Sequence, residues 1–302
     1  MQTTVSKEQL ERMRKKAAKR EKIVIILSLL TLPLYLWLFY TTMRQEELFW
    51  VKAITVSAIL SIATFGLLWM IVVKRAYDKF NEAYKTKYVL QIISQIDGFD
   101  QLQFIPKGGF LWDDVRNAAV VACGDQRYYE SEDLLLGQYE NVGFKISDVT
   151  TKKMVRRDKK NRVEEIFDGQ ILCLSRFDDI KESNGHLQIF EKQFLSSMAG
   201  WKAEHEIQTE NEAFNKRFQI YASDEHNAYY ILTPQRMEKI MRFAEAMEGQ
   251  VSLVFREEKL FVAIRRDSMF DANMSEPVAK QTGKILEDAK VIQDTKEILV
   301  MA

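Results

Sequence analysis

Histidine and cysteine are scarce in this 302-residue chain, which has three of the former and two of the latter. So few cysteines exclude a disulfide-stapled scaffold. Both lie among aliphatic neighbours, Cys123 after Val120-Val121-Ala122 and Cys173 between Leu172 and Leu174, where a thiol behaves as a small hydrophobe. The expectation is that both are buried, reduced and inert. None of His186, His205 and His226 stands in an H-E-x-x-H arrangement. His205 with Glu210 is the nearest approach to a ligand pair, and zinc needs three or four ligands. No metal site and no cofactor are expected. There is no G-x-S-x-G, no G-x-G-x-x-G, and Lys107-Gly108-Gly109 is too short for a phosphate-cradling G-x-x-x-x-G-K-[ST]. No residue is assigned a catalytic role. Internal repeats and low-complexity stretches are also missing.

Charge is missing from two places. Residues 23–42 and 53–73 contain no Asp, Glu, Lys, Arg or His, and each is close to the ~20 residues an α-helix needs to cross a bilayer. Pro33, within the first stretch, is tolerated in membrane helices and kinks rather than prevents one. Lys and Arg crowd the outer flanks: eight lie in residues 1–22, and Lys74, Arg75, Lys79, Lys85 and Lys87 follow the second stretch. The connecting loop has only Arg44 and Lys52, beside Glu46 and Glu47. Basic flanks resist translocation, so a plasma (inner) membrane location with both termini in the cytoplasm is expected. Trp37, Phe39, Tyr40, Phe49 and Trp50 cluster at the level of the outer interface, as aromatic belts do.

The formal charge of zero conceals an asymmetry. Residues 1–75 hold twelve basic and five acidic groups, leaving 31 basic and 38 acidic groups for the rest. The basic end suits an anionic leaflet, and the acidic remainder argues against nucleic acid as its ligand. The basic concentration within that remainder includes Lys152, Lys153, Arg156 and Arg157.

Four parts are expected: a basic arm (1–22), a two-helix anchor (23–73), an amphipathic connecting helix (74–97) and an α+β domain (98–302). In the third part Phe80, Tyr84, Tyr88, Ile92 and Ile96 recur every four residues, with Gly98 as a stop. That stripe can dock on the domain or pair two copies of the chain. Signals between Gly109 and Leu136 are mixed, with a helix from Trp112 towards Cys123 ended by Gly124. Alternation from Val142, a polar turn at Asp158-Lys159-Lys160-Asn161 and a return strand over 163–174 predict a long hairpin with the basic cluster at its tip. Two aromatic-rich strands, 218–221 and 228–232, are expected around Ser223–Asn227. Thr233-Pro234 then starts a helix ended by Gly249. A hairpin over 251–264 and a last helix over 276–292 follow. Segregated strands and helices indicate an α+β fold: a transmembrane helical hairpin followed by antiparallel hairpins and packed helices.

The stretch ENEAFNKRFQIYASDEHNAYYILTPQRMEKIMR, residues 210–242, resembles the signature of the DUF3137 family, bacterial membrane proteins of unknown function. The resemblance rests on Glu210, Phe214, Asn215, Phe218, Asp224, Ala228, Tyr230, Leu232, Thr233 and Pro234. A second match is YESEDLLLGQYENVGFKISDV, residues 129–149. One departure is Ile171 in Phe167-Asp168-Gly169-Gln170-Ile171, where the family pattern carries an aromatic residue. The resemblance implies an architecture and no activity.

The polar group Glu210, Asn215, Asp224 and His226 surrounds the Leu232-Thr233-Pro234 motif. One reading makes it a ligand or peptide pocket near a helix N-terminus. The other makes Asp224 and Asn227 turn formers, Asn215 a pin and Thr233 a cap. The expected function is a membrane-anchored, non-enzymatic module that binds a protein or ligand at the inner face of a bacterial plasma membrane. The alternative is an enzyme using Glu210, Asp224 and His226 as acid–base groups.

Overall fold

The computed structural model describes residues 6–43, 49–157, 160–175, 186–193, 205–247 and 250–299. It divides into two compact units.

The first unit runs to Tyr88 and includes Ala272–Thr282. Helix α1 (Lys7–Met43) packs against α2 (Phe49–Leu68), which leads through a π-helical segment (Trp69–Lys74) into α3 (Arg75–Ala83). The basic arm is thus helical from Lys7 and continuous with the first apolar stretch. Both N-terminal helices are long and apolar enough to cross a membrane. Most of the apolar side chains in their uncharged stretches are bare, with Leu29 69% and Ile62 71% exposed, and Tyr40 stacks on Trp50. Leu10, Ala17 and Val24, seven residues apart, form the buried stripe of α1. Residues 272–282 join this unit through Glu11 and Arg14. Glu11 accepts from Arg14 Nη2 at 2.6 Å and from the Val278 amide at 3.1 Å, while Arg14 Nη1 donates to the Met274 carbonyl at 2.8 Å. Arg14 holds the Glu11 carboxyl down at about 2.

A second π-helical segment, Tyr84–Val89, precedes α4 (Leu90–Ile93), so the connecting helix ends at Ile93 rather than at Gly98. The π segment accounts for the four-residue repeat. Four residues overshoot an α-turn, so a strict i, i+4 stripe drifts around an α-helix. The wider π-turn reverses that drift. Phe80, Tyr84, Tyr88 and Ile92 are all buried.

Among the described residues, the second unit is built on a nine-stranded antiparallel sheet. The strands are β1 (Phe99–Ile105), β2 (Glu130–Tyr139), β3 (Val142–Arg157), β4 (Lys160–Ser175), β5 (Leu187–Glu191), β6 (His205–Ile207), β7 (Phe218–Ala222), β8 (Val251–Arg256) and β9 (Lys259–Ile264). Their order is β1-β2-β3-β4-β9-β8-β5-β7-β6. Apolar runs such as Ile171–Leu174 and Val251–Phe255 are buried on both faces. One face carries Ile171, Cys173, Val254 and Ala263 under α5 (Trp112–Ala118) and the buried segment 119–123. The other lies beneath α8 (Pro234–Ala246) and α9 (Thr282–Leu299); Arg236 of α8 stacks over Phe255, and Gln293 of α9 donates to the Tyr139 hydroxyl. Antiparallel strands with segregated helices make this an α+β fold.

Both cysteines are buried free thiols, and burial pushes Cys123 up to about 12 and Cys173 up to about 11. Three further expectations need correction. Residues 228–232 are not a strand: 228–231 belong to α7 (Glu225–Ile231), which buries Ala228 and Ile231 and exposes Tyr229 and Tyr230, and Leu232 is its C-cap. The Asp224 side chain accepts from the His226 and Asn227 amides, and this cap turns an aromatic, strand-like run into a helix. Helix α5 stops at Ala118, because Ala119 adopts a left-handed conformation (φ 52°). The last helix begins six residues later than expected, at Thr282, and runs on to Leu299. The expected loop residues 44–48, the turn residues 158–159 and the terminator Gly249 lie outside the described residues.

Candidate functional site

The expected polar group divides into two separate caps. Asn211 caps α6 (Glu212–Arg217), accepting from the Phe214 amide at 3.0 Å. Asn215, inside α6, folds back on Thr209: its Oδ1 accepts from the Thr209 amide at 3.0 Å and hydroxyl at 2.9 Å, and its Nδ2 donates to the Thr209 carbonyl at 2.6 Å. Asn215 is therefore a loop pin. It fixes residues 208–211, including exposed Glu210, as one wall of an open pocket of about 620 Å³. Tyr229, Leu232, Pro234 and Met237 form the opposite side, and the Tyr229 hydroxyl ties the walls by donating to the Gln208 carbonyl at 3.1 Å. Thr233 caps α8, accepting from the Arg236 amide at 3.3 Å.

Glu210 lines this pocket; Asp224 and His226 do not. Asp224 is spent on the α7 cap, accepting from the His226 amide at 2.9 Å, and the His226 side chain is exposed. Glu210, Asp224 and His226 therefore do not meet as an acid–base set. Among the described residues no group of three or more His, Cys, Asp or Glu side chains is placed to hold a metal.

Arg236 was not foreseen as a key residue. It is 3% exposed and donates to the Ile231 carbonyl at 2.6 Å, the Ile298 carbonyl at 3.0 Å and the Leu299 carbonyl at 3.2 Å. One guanidinium thus satisfies the C-terminal carbonyls of α7 and α9, where helix dipoles favour a cation. The available signal was its spacing: Arg236 lies four residues before Ile240, on the face of α8 that otherwise reads as apolar.

The basic cluster is on the β3–β4 hairpin. The last β2 pair with β3 is Glu130 with Thr150, and β9 meets β4 only from Gln170 onward. Beyond them the two strands pair only with each other and form an arm. Its base is fixed by Asp125, whose amide donates to the Lys152 carbonyl at 2.9 Å and whose carboxylate accepts from the Met154 amide at 2.8 Å. Gly124 (φ 58°) is required there, since a Cβ would lie 2.2 Å from the Lys152 carbonyl oxygen. A bulge after Thr151 bends the arm and sets its register. Lys152 faces Glu165 and Lys153 faces Glu164, so the lysines are balanced across the ladder. Arg156 faces Asn161 and Arg157 faces Lys160, so the arginines are not. Between them Met154 and Val163, a directly opposed pair, are 39% and 48% exposed.

The Thr233-Pro234 corner, Arg236 and the half of the sheet from β4 to β9 lie in one stretch of sequence. Residues 165–301 match the DUF3137 family model, described as a protein of unknown function. The DUF3137 match contains the 210–242 signature, the pocket beside Pro234 and α9, and leaves out the N-terminal helices and the 129–149 motif. No curated protein and no solved structure matches the chain.

Proposed function

We propose that this chain is a non-enzymatic binding module anchored in the bacterial plasma membrane, with both termini cytoplasmic. In this reading the tip of the β3–β4 arm grips an acidic protein partner held at the same membrane. The observation that carries it is the tip itself, where Arg156 and Arg157 lack an acidic residue opposite and Arg156, two residues from Met154, shares a face with the exposed Met154–Val163 pair. An arginine without an acidic partner opposite, beside exposed apolar side chains, has the composition of a protein-contact patch. The bare apolar helices support the anchor, since side chains such as Leu29 and Ile62 have no reason to face water. Anchoring raises the effective concentration of any partner in the same membrane. The enzyme reading loses ground because its three acid–base candidates do not converge.

The test is native-membrane affinity capture of the full chain beside an Arg156→Gln/Arg157→Gln variant. Recovery of a protein by the wild type, reduced at least about tenfold by the double variant, supports the arm as the contact. An unchanged partner set removes that role from the arm. Release of the wild type from membranes by alkaline carbonate refutes the anchor.

A further inference from the structure

A second pocket, of about 410 Å³, opens where α5 covers the sheet. It belongs to neither the Pro234 corner nor the arm. Lys145 on β3 pairs with Cys173 on β4, which pairs with Phe261 on β9; Ser175 pairs with Lys259, and Lys259 with Arg256 on β8. Directly paired residues share a sheet face, as do residues two apart on a strand, so these six side chains lie on one face. All six line the pocket, with Phe110 and the α5 residue Asp114.

The lining carries three basic side chains, Lys145, Lys259 and Arg256, against two acidic ones, Asp114 and Glu257. Lys259 and Arg256 are like charges directly opposite one another, an unfavourable pairing in a sheet. Arg256 is partly relieved: its Nε donates to Glu257 at 3.1 Å and another nitrogen donates to the Asn117 carbonyl. Lys145 and Lys259 have no ion-pair partner among the described residues. Burial raises the Cys173 thiol most; Lys259 and Lys145 pull it down and Asp114 pushes it up, so all three charges reach the pocket floor. That thiol stays protonated at neutral pH, so the pocket holds no ready nucleophile.

We infer that this pocket binds a phosphate monoester carried on a ring, with Lys145, Lys259 and Arg256 taking the phosphate and Phe110 and Phe261 taking the ring. Two uncompensated lysines beside an arginine suit a dianion better than a carboxylate. Asp114 supplies an acceptor for a hydroxyl or amine on the same ligand. The inference stands apart from the arm and survives its failure. The phosphate can come from a soluble nucleotide or from a lipid headgroup.

The test is calorimetric titration of the full chain in non-ionic detergent with 5′-AMP, adenosine, inorganic phosphate and a short-chain phosphatidylinositol 4-phosphate, whose phosphate monoester also sits on a ring. Binding of 5′-AMP or the phosphoinositide more tightly than inorganic phosphate is expected. The Lys145→Gln/Lys259→Gln variant should lose about 10- to 100-fold in affinity, the worth of one or two charge-assisted hydrogen bonds. If the double variant melts early, Lys259→Gln alone, at an exposed site, carries the same comparison. The Arg156→Gln/Arg157→Gln chain should bind like the wild type. Binding of 5′-AMP alone identifies a soluble source, and the phosphoinositide displacing it identifies the headgroup. Failure of every phosphate probe to bind, adenosine binding as tightly as 5′-AMP, or unchanged affinity without the lysines overturns the inference.

Discussion

Asp148 lies on β3 opposite Gln170 and inside the fold, and burial pushes its carboxyl up to about 6. Asp133 and Asp271 push the same way, while Gln170 Nε2 at 3.0 Å and the Met269 amide pull down. In the unfolded chain the same group titrates near 3.8. Between those values the folded form holds the extra proton, so this group's contribution makes stability fall as pH rises from about 3.8 to about 6. An Asp148→Asn variant should lack that decline in urea midpoints measured across the interval; the same slope in both chains would contradict the assignment. Glu11 works in the opposite sense. Its lowered carboxyl contributes stability above 4.5 that is lost as pH falls towards about 2. For Arg236 the stakes are higher, because three buried carbonyls depend on it. Arg236→Met should cost roughly 3 kcal/mol and Thr233→Ala roughly 1 kcal/mol, read from chemical denaturation of the full chain.

At the scale of elements, two hairpins turn through residues that rarely do so. Glu140-Asn141 joins β2 to β3 and Glu257-Glu258 joins β9 to β8, each pair with both φ positive. Such two-residue turns favour Asn-Gly, and a non-glycine residue there is strained. Glu258→Gly should therefore raise stability by about 1 kcal/mol, a gain visible as a higher melting temperature; a loss would contradict the strain. The same elements explain what could be read in advance. Long strands such as β3 and β4 carry clear alternation or unbroken apolar runs, and α8 announces itself through Thr233-Pro234 and its apolar face. By contrast, β1 and β2 mix Asp100, Gln101, Glu132 and Asp133 into interrupted ladders whose bulges break the period of two. Residues 229–231 carry strand-forming side chains, and a single capping carboxylate outweighs them. Of the candidate site, Glu210 and Asn215 belong together while Asp224 and His226 do not. Only the folded register separates the balanced lysines of the arm from its unbalanced arginines.

On the scale of the whole molecule, the expected topology puts residues 44–48 on the far side of the membrane from everything after them. Because Cys123 and Cys173 are buried, a Gln45→Cys variant offers one reactive thiol. An impermeant maleimide should label it on intact cells; labelling only after lysis would reverse the topology. A chain tethered to a bilayer meets its own copies far more often than one diffusing in three dimensions, and exposed strands are the usual route from such meetings to irreversible aggregates. Here the two margins of the sheet are poor templates. On one margin β6 contributes only three residues, and on the other β1 is broken by a bulge at a left-handed Gln101 beside Asp100. Blunt margins would let a membrane-anchored chain of this kind crowd laterally without polymerising.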